Sequence, residues 1–571
     1  MPRGASGLRV LPNGVSKGQI AGNPRWRIMR RSLHVWKLLF VLSAVVVFHF
    51  SECVEASQSP FDMVIENARV VDGTGNPPYQ ADVGIRNGRI DRIGSLHQVP
   101  ATKRIDARGL VLAPGFIDVH THLEEQIKRV SRRLAADNFV LQGITTVITG
   151  NCGNSAPDLA ALMRKLQRLR LGVNIATLVG HNTVHQVAGG LGPKKPTPGQ
   201  QQRMGALVES GLAAGTLGFS TGLCYRPGVF AAESEVASLV GVAARQGAVY
   251  ATHIRDEGSG GMAALEEAIS TAQQAGAPKL HISHFKAVGR SQWGTAGLRL
   301  ARLRKAEEGQ RMRTTADVYP YTSLSSTLDY LVPEEAMLAM RSLQKRESFE
   351  RALEATLGKL RRDGWEDYSH VRVAFSTRHP AWIGRSIPQI VGSLRGTSRP
   401  SARDQATWVL RNYAGGDIQM IAEAMSERDL QQILTAPDVV FGSDSSVHYR
   451  GVGRPHPRGS GTFPRIFAEY VRKQKLLTLE EAVRRATGLA AEIFDLPERG
   501  VIREGYRADL VIFDPASIQD RASFEDPWQA PVGIPFVIEN GEFVVREGKL
   551  TGLLPGQAVR RSRNLGARRA P

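Results

Sequence analysis

The chain has 571 residues, enough for one large core plus a smaller module. Its formal net charge of +19 suggests nucleic acid, but eleven of those charges sit at the ends: residues 1–57 hold eight Lys or Arg against two Glu, and five Arg follow Gln557 without an acid. No aromatic-basic interleaving or nucleic-acid motif accompanies them, so nucleic acid is not expected as a partner, and three cysteines do not make a disulfide framework.

In chain order, Arg25, Arg27, Arg30 and Arg31 lead into the apolar run Leu38 to Phe48, followed by Ser51-Glu52-Cys53-Val54-Glu55-Ala56. A charged start, an apolar stretch short for a membrane span and a small-residue exit spell a secretory signal over residues 1–57. Cleavage is expected near Ala56, with Met29 as an alternative start. The mature chain is expected to be exported, periplasmic or extracellular, and to meet membrane only through an uncleaved leader. Residues 58–113 then alternate apolar and polar, and Asn87-Gly88 marks a hairpin. A matching stretch returns at 497–556, with Leu510-Val511-Ile512-Phe513 and Phe536-Val537-Ile538 as strand candidates. Together the flanks predict one small β-sandwich built from both ends. Residues 557–571 are expected to be a basic disordered tail.

Between the flanks, over 114–496, eight apolar β-type runs alternate with helical stretches, near 115–120, 144–150, 173–180, 216–222, 248–254, 279–285, 313–319 and 438–444. This repetition predicts parallel βαβ units and a (β/α)8 TIM-like barrel. The long gap before the last run predicts an insertion at about 334–435, covering the barrel mouth, with helices at Glu347 to Leu360 and Ser426 to Leu434.

Metal-type ligands and one acid close these runs: His120 and His122, Cys152, His253, His284 and Asp444. In a parallel barrel such ends converge at the active site. His120 and His122, two apart on a strand, point the same way and suit one divalent ion, or they are an exposed or core-satisfied pair. Cys152, in Gly150-Asn151-Cys152-Gly153, suits zinc with backbone close by, or it is a small buried hydrophobe. Cys224 is read as that hydrophobe. His281, three before His284, points to the opposite strand face and is read as structural, and His181 and His185 stay outside the site. Asp444 suits proton transfer beside an activated water, or it caps a loop. Their joint placement favours one shared site.

These residues carry a resemblance. Gly115-Phe116-Ile117-Asp118-Val119-His120-Thr121-His122 resembles the first-strand signature of the amidohydrolase superfamily. Gly150-Asn151-Cys152-Gly153, Ala251-Thr252-His253-Ile254-Arg255, His281-Ile282-Ser283-His284-Phe285-Lys286, Asp317-Val318-Tyr319-Pro320-Tyr321 and His456-Pro457-Arg458 narrow it to the D-aminoacylase (N-acyl-D-amino-acid deacylase) group. The likeness runs from about Phe61 to about Gly552. It implies a Zn2+ held tightly by Cys152, His253 and His284, and a second, weaker metal position near His120, His122 and Asp444 with the cysteine bridging. It also implies Asp444 as general base and then acid, with Lys286 and Arg458 on the substrate carboxylate and Tyr225, Tyr319 and Ser325 beside them. The fourth run, Thr216 to Gly222, has no lysine, unlike relatives that bridge two metals with a carboxylated one. Three stretches depart from the group: Leu123-Glu124 after the histidine pair, a longer segment between Asp444 and His456, and the region around Gly189-Gly190 and Lys194-Lys195. The implied activity is hydrolysis of N-acyl-D-amino acids, small molecules, to a carboxylate and a free D-amino acid. The alternatives are a relative acting on D-dipeptides or cyclic amides (hydantoinase- or dihydroorotase-like), and a non-catalytic barrel scaffold.

Overall fold

The computed structural model describes residues 60–562 except 191, 310 and 343–345; the expected leader and residues 563–571 lie outside the described residues. Strands from both ends of the described chain pair in one nine-stranded sheet. Its seam is Val111–Pro114 running antiparallel to Leu510–Phe513, with Ala113 opposite Val511. The alternation read from the sequence packs Met63, Ile65, Val83 and Ile85 against Leu510 and Ile512 in a common core. The hairpin between Tyr79–Arg86 and Arg89–Gly94 turns on Asn87 (φ 52°) and Gly88 (φ 71°), the double positive φ that a tight two-residue turn requires.

The rest of the molecule is mixed α/β. Phe116–Asp118, Ile144–Thr149 and Asn174–Thr177 form one parallel sheet, and Val179–Gly180, Gly218–Gly222, Val249–His253, Lys279–Ile282, Arg313–Val318 and Val439–Phe441 form another. Backbone bonds join the two sheets at both edges: Leu217 N donates to Thr177 O at 2.9 Å and Val119 N to Phe441 O at 3.5 Å. Asp118 reinforces the second junction by accepting from the Ser443 and His120 amides. The strands are almost wholly buried because helices cover them, and residues from strands and helices share one large core.

The inserted region has a core of its own, which includes Leu324, Leu328, Val332, Leu353, Val371, Val409 and Met420. Its antiparallel sheet orders Ser323–Thr327, Gln419–Glu423 and Val371–Phe375. The insertion therefore begins by Ser323, earlier than the expected 334. Ser-Leu-Ser-Ser-Thr has no alternation to announce a strand, and its partner lies far along the chain. Helix Glu427–Leu434, expected in the insertion, instead buries Leu430, Ile433 and Leu434 in the large core, and Ser426 caps it by accepting from Asp429 N.

The chain after Gln557 also departs from expectation. Val559, only 4 % exposed, donates its amide to Ile175 O at 2.8 Å. Arg561 donates to Gln246 O at 2.7 Å and to Gly247 O at 2.6 Å, and meets Asp495 at 3.3 Å. A charge-rich composition hid one apolar anchor and the open main-chain groups beside Ile175. The described part of the expected disordered tail is thus docked through Arg561.

Candidate metal centre

Every metal-type residue singled out lies at or just past the C-terminal end of a parallel strand, and the strand order brings them together. Cys152 (φ 51°), His284 (φ 35°) and Asp444 (φ 51°) are all held in the left-handed region, a conformation that costs about 1–3 kcal/mol at a non-glycine residue and gathers at functional sites. The Asp444 amide, which donates to His120 O at 2.8 Å, helps to impose it. Gly442 permits the approach of the neighbouring strand: a Cβ there would lie 2.6 Å from His120 Cβ.

Cys152 Sγ is the hub, 3.3 Å from His120 Nε2, 3.4 Å from His284 Nε2 and 3.6 Å from His253 Nδ1. Three groups of potential ligands share these atoms: His120, His122 and Cys152; Cys152, His253 and His284; and His120, His284 and Asp444. Each of the three imidazoles around the thiol turns its other nitrogen to a partner. His120 Nδ1 meets Asp317 Oδ2 at 3.1 Å, His284 Nδ1 meets Glu257 Oε1 at 3.0 Å, and His253 Nε2 meets Cys224 Sγ at 2.9 Å. At His120 the Asp317 carboxylate draws the proton to the outer nitrogen and leaves the inner lone pair for a cation, as a zinc site requires, while His284 Nδ1 meets the Lys286 ammonium at 2.7 Å as well as Glu257. The donor set therefore fits zinc.

The electrostatics agree. Burial lowers the His120 imidazole to about 4, against the raising effect of Asp317 and Asp444, so the ring is neutral at neutral pH, the form that can bind a cation. Burial, with Asp444 and Cys224 adding to it, pushes the Cys152 thiol well above its ordinary value, a balance that a bound cation reverses. Burial would likewise raise Asp444, but Arg458 and the His284, His122 and His120 rings outweigh it and hold the carboxyl well below the usual range. Asp444 is thus a charged acceptor at the edge of the cluster, with Oδ1 3.1 Å from His122 Nε2 and Oδ2 2.9 Å from Arg458 Nη1.

The longer segment after Asp444 does not displace Arg458. His456 accepts from the Arg458 amide at 3.0 Å and contacts Ser323 O at 3.1 Å through its other nitrogen, and the guanidinium stacks 4.5 Å over Tyr319. Lys286 lies at the same centre, with Nζ 2.8 Å from Glu257 Oε1 and 5.5 Å from the Tyr319 ring. Tyr225 packs edge-on to His253 with ring centroids 4.9 Å apart, and its hydroxyl bonds Ser326 Oγ at 2.9 Å. Ser325 contributes only its backbone oxygen, 3.5 Å from Arg458 Nη2.

Several neighbours escaped the sequence reading. Glu257, 3 % exposed, joins Lys286, His284 and the Tyr330 hydroxyl, but in Arg-Asp-Glu it reads as an ordinary loop acid. Asp317 is buried near the end of the strand Arg313–Val318, and it also meets His281 Nε2 at 3.0 Å, giving that histidine an orienting place. Glu124 accepts from Gly150 N and Thr149 Oγ1, both at 2.5 Å, so the departure after the histidine pair still supports the loop before Cys152. Cys224 corrects an expectation: both described cysteines are free, and Cys224 is half-buried on the far nitrogen of His253, not a core hydrophobe. It lies two residues past the strand Gly218–Gly222, the same strand-end placement that marked the other site residues, so its position was legible in the sequence. His181 and His185 lie outside the cluster and face Glu235 Oε1 at 2.9 and 3.7 Å.

Strand-end ligands, a thiol hub and a charged carboxylate define a metal-dependent hydrolase site, and the chain belongs to the amidohydrolase family, which it matches over residues 103–371 and 415–545. Within that family it is similar to the N-acyl-D-glutamate deacylase of Alcaligenes xylosoxydans xylosoxydans, 33 % identical over 89 % of this chain and 98 % of the relative. The D-aminoacylase of the same organism is 32 % identical, with 89 % of this chain and 99 % of the relative covered. Among solved structures, the N-acyl-D-glutamate deacylase of Bordetella bronchiseptica, complexed with zinc and a phosphonate that mimics the tetrahedral intermediate, superposes with a TM-score of 0.74. It is 34 % identical, covering 88 % of this chain and all of that one.

Proposed function

We propose that this amidohydrolase is a zinc-dependent N-acyl-D-amino-acid deacylase, splitting a linear amide into a carboxylate and a free D-amino acid. The observation that carries the reading is the Cys152 hub, with three imidazoles whose outer nitrogens are all engaged. The deacylase relatives support the substrate class. The reading includes a closed (β/α)8 barrel, supported by eight successive parallel strand positions whose sheets are bonded at both edges. A small β-sandwich from both chain ends is supported by the Val111–Pro114 and Leu510–Phe513 pairing.

Cys152, His253 and His284 would hold the tighter ion, and His120, His122 and Asp444 would flank a weaker position. Zinc, when bound, polarises the amide carbonyl and acidifies water. Asp444 Oδ1 takes the proton of the attacking water and passes it to the amide nitrogen as the C–N bond breaks. Arg458 keeps that carboxylate charged between turnovers. Arg458 and Lys286 bind the substrate α-carboxylate, the guanidinium fork giving it a fixed orientation. Tyr225, Tyr319 and Ser325 line that position. Handedness then follows from the side of the bound carboxylate on which the acyl nitrogen must lie. Residues 1–57 act as an export signal in this reading, which N-terminal sequencing of the mature protein tests.

Asp444→Asn is expected to abolish turnover while zinc content persists. The test is a panel of N-acyl-D-amino acids, their L-enantiomers, D-dipeptides and hydantoins, run on metal-analysed protein. Turnover confined to hydantoins or D-dipeptides would replace the deacylase reading, and absence of both zinc and turnover would return the scaffold reading.

A further inference from the structure

The inserted region and the body of the chain enclose a second cleft, with a cavity volume of about 580 Å³ and no catalytic residue in its lining. Its polar lining is dominated by Arg226, Arg341, Arg346 and Arg411. Among the described residues none of the four forms an ion pair with a carboxylate. Arg226 is the most enclosed: it donates to Ala414 O at 3.3 Å, lies 5.6 Å over the Tyr413 ring, and keeps a buried Nε with no hydrogen-bond partner. Asp329, the acid that Arg226 influences, gives its carboxylate to the Thr327 hydroxyl. The remaining wall is apolar: Phe230, Met337, Met340, Phe349 and Leu410. Gly192 and Pro193 close one side, and Lys194 and Lys195 follow them in sequence.

Four guanidiniums around one cleft, none in an ion pair with a carboxylate among the described residues, make a cationic wall that attracts an anion, and the guanidinium fork matches a carboxylate. The volume falls within the roughly 300–1,000 Å³ range of small-molecule sites. An inorganic anion would leave the apolar wall unused, and a neutral apolar ligand would leave the arginines unpaired. We infer that this cleft binds an amphipathic organic anion, an aliphatic or aromatic body carrying a carboxylate. The site is separate from the metal centre and the inference does not depend on the deacylase reading, although Arg226 directly follows Tyr225.

Calorimetric titration of the zinc-loaded full chain with octanoate is the test, with acetate, inorganic phosphate and octanol as comparisons. Octanoate is expected to bind at least tenfold more tightly than each of these. The variant Arg346→Glu/Arg411→Glu, changed only at exposed positions, is expected to lose at least tenfold in octanoate affinity while its turnover is unchanged. Equal binding of acetate, phosphate or octanol would overturn the assigned chemistry, and undiminished binding by the variant would overturn the location. Should the variant not fold, phenylglyoxal labelling of the parent decides: octanoate must shield Arg341, Arg346 and Arg411, and labelling unchanged by octanoate overturns the site.

Discussion

Replacing Glu257 with Gln tests whether the outer nitrogen partners hold the metal centre together. Glu257 and Lys286 are 3 % and 5 % exposed, and Oε1 is 2.8 Å from the ammonium. Burial would raise the Glu257 carboxyl, but Lys286, His253 and His284 hold it well below the usual range. Burial would depress Lys286, but Glu257 raises it above its ordinary value. Removing one partner of such a buried pair strands the other, at a cost of about 3–5 kcal/mol. The same change removes the negative charge that faces both His284 Nδ1 and Lys286, and loss of such support lowers metal affinity by roughly 10–100-fold. Denaturant unfolding of the metal-free protein reads the first effect, and competition with a zinc chelator reads the second. A folded carboxyl held low contributes stability above its unfolded value, near 4.5, and loses it as pH falls through the folded value. The variant should therefore lose most of its stability at neutral pH and converge on the parent in acid. Glu257→Gln/Lys286→Met, which removes both charges, should be more stable than Glu257→Gln alone. A cost for Glu257→Gln below about 1 kcal/mol, with zinc affinity unchanged, would refute the reasoning.

Arg458→Gln removes the cation that most lowers Asp444, so the carboxyl rises and the acid limb of the kcat/KM profile moves to higher pH; an unmoved limb would separate the two residues. Asp317→Asn should weaken the metal position that uses His120 by roughly 10–100-fold, read by stepwise zinc titration, while the Cys152, His253 and His284 position is retained. Val559→Asp should destabilise the docked terminus by about 1.5–3 kcal/mol or more and speed trypsin cleavage after Arg560 and Arg561, which the docked backbone is expected to slow in the parent.

The candidate ligands were legible in the sequence because each closes an apolar run. A run long enough to bury both faces marks a strand in a parallel sheet, and its end marks where the backbone reaches the site. The Asn87-Gly88 turn was legible for a similar local reason: its backbone demand is met by two adjacent residues. Ser323–Thr327 was not, because its strand character is conferred by Gln419–Glu423 rather than by its own alternation. Nor was docking of the terminus, which rests on Val559 and on the bonds of Arg561 to main-chain oxygens far back along the chain.

The sequence by itself therefore determined the donor types, their strand-end positions and the family they mark. Only the tertiary structure decided how they are used. Cys152 became a hub because strand order gathers His120, His253 and His284 around its sulfur. Glu257, Asp317 and Cys224 became proton acceptors or partners for outer nitrogens because of ring orientation, which no spacing specifies. Arg226 and Arg411 share one cleft only because the insertion folds back against the body of the chain. Local pattern encodes which surface of an element is buried; the distance between two charged groups on different elements is set by packing, and that distance decides their chemistry.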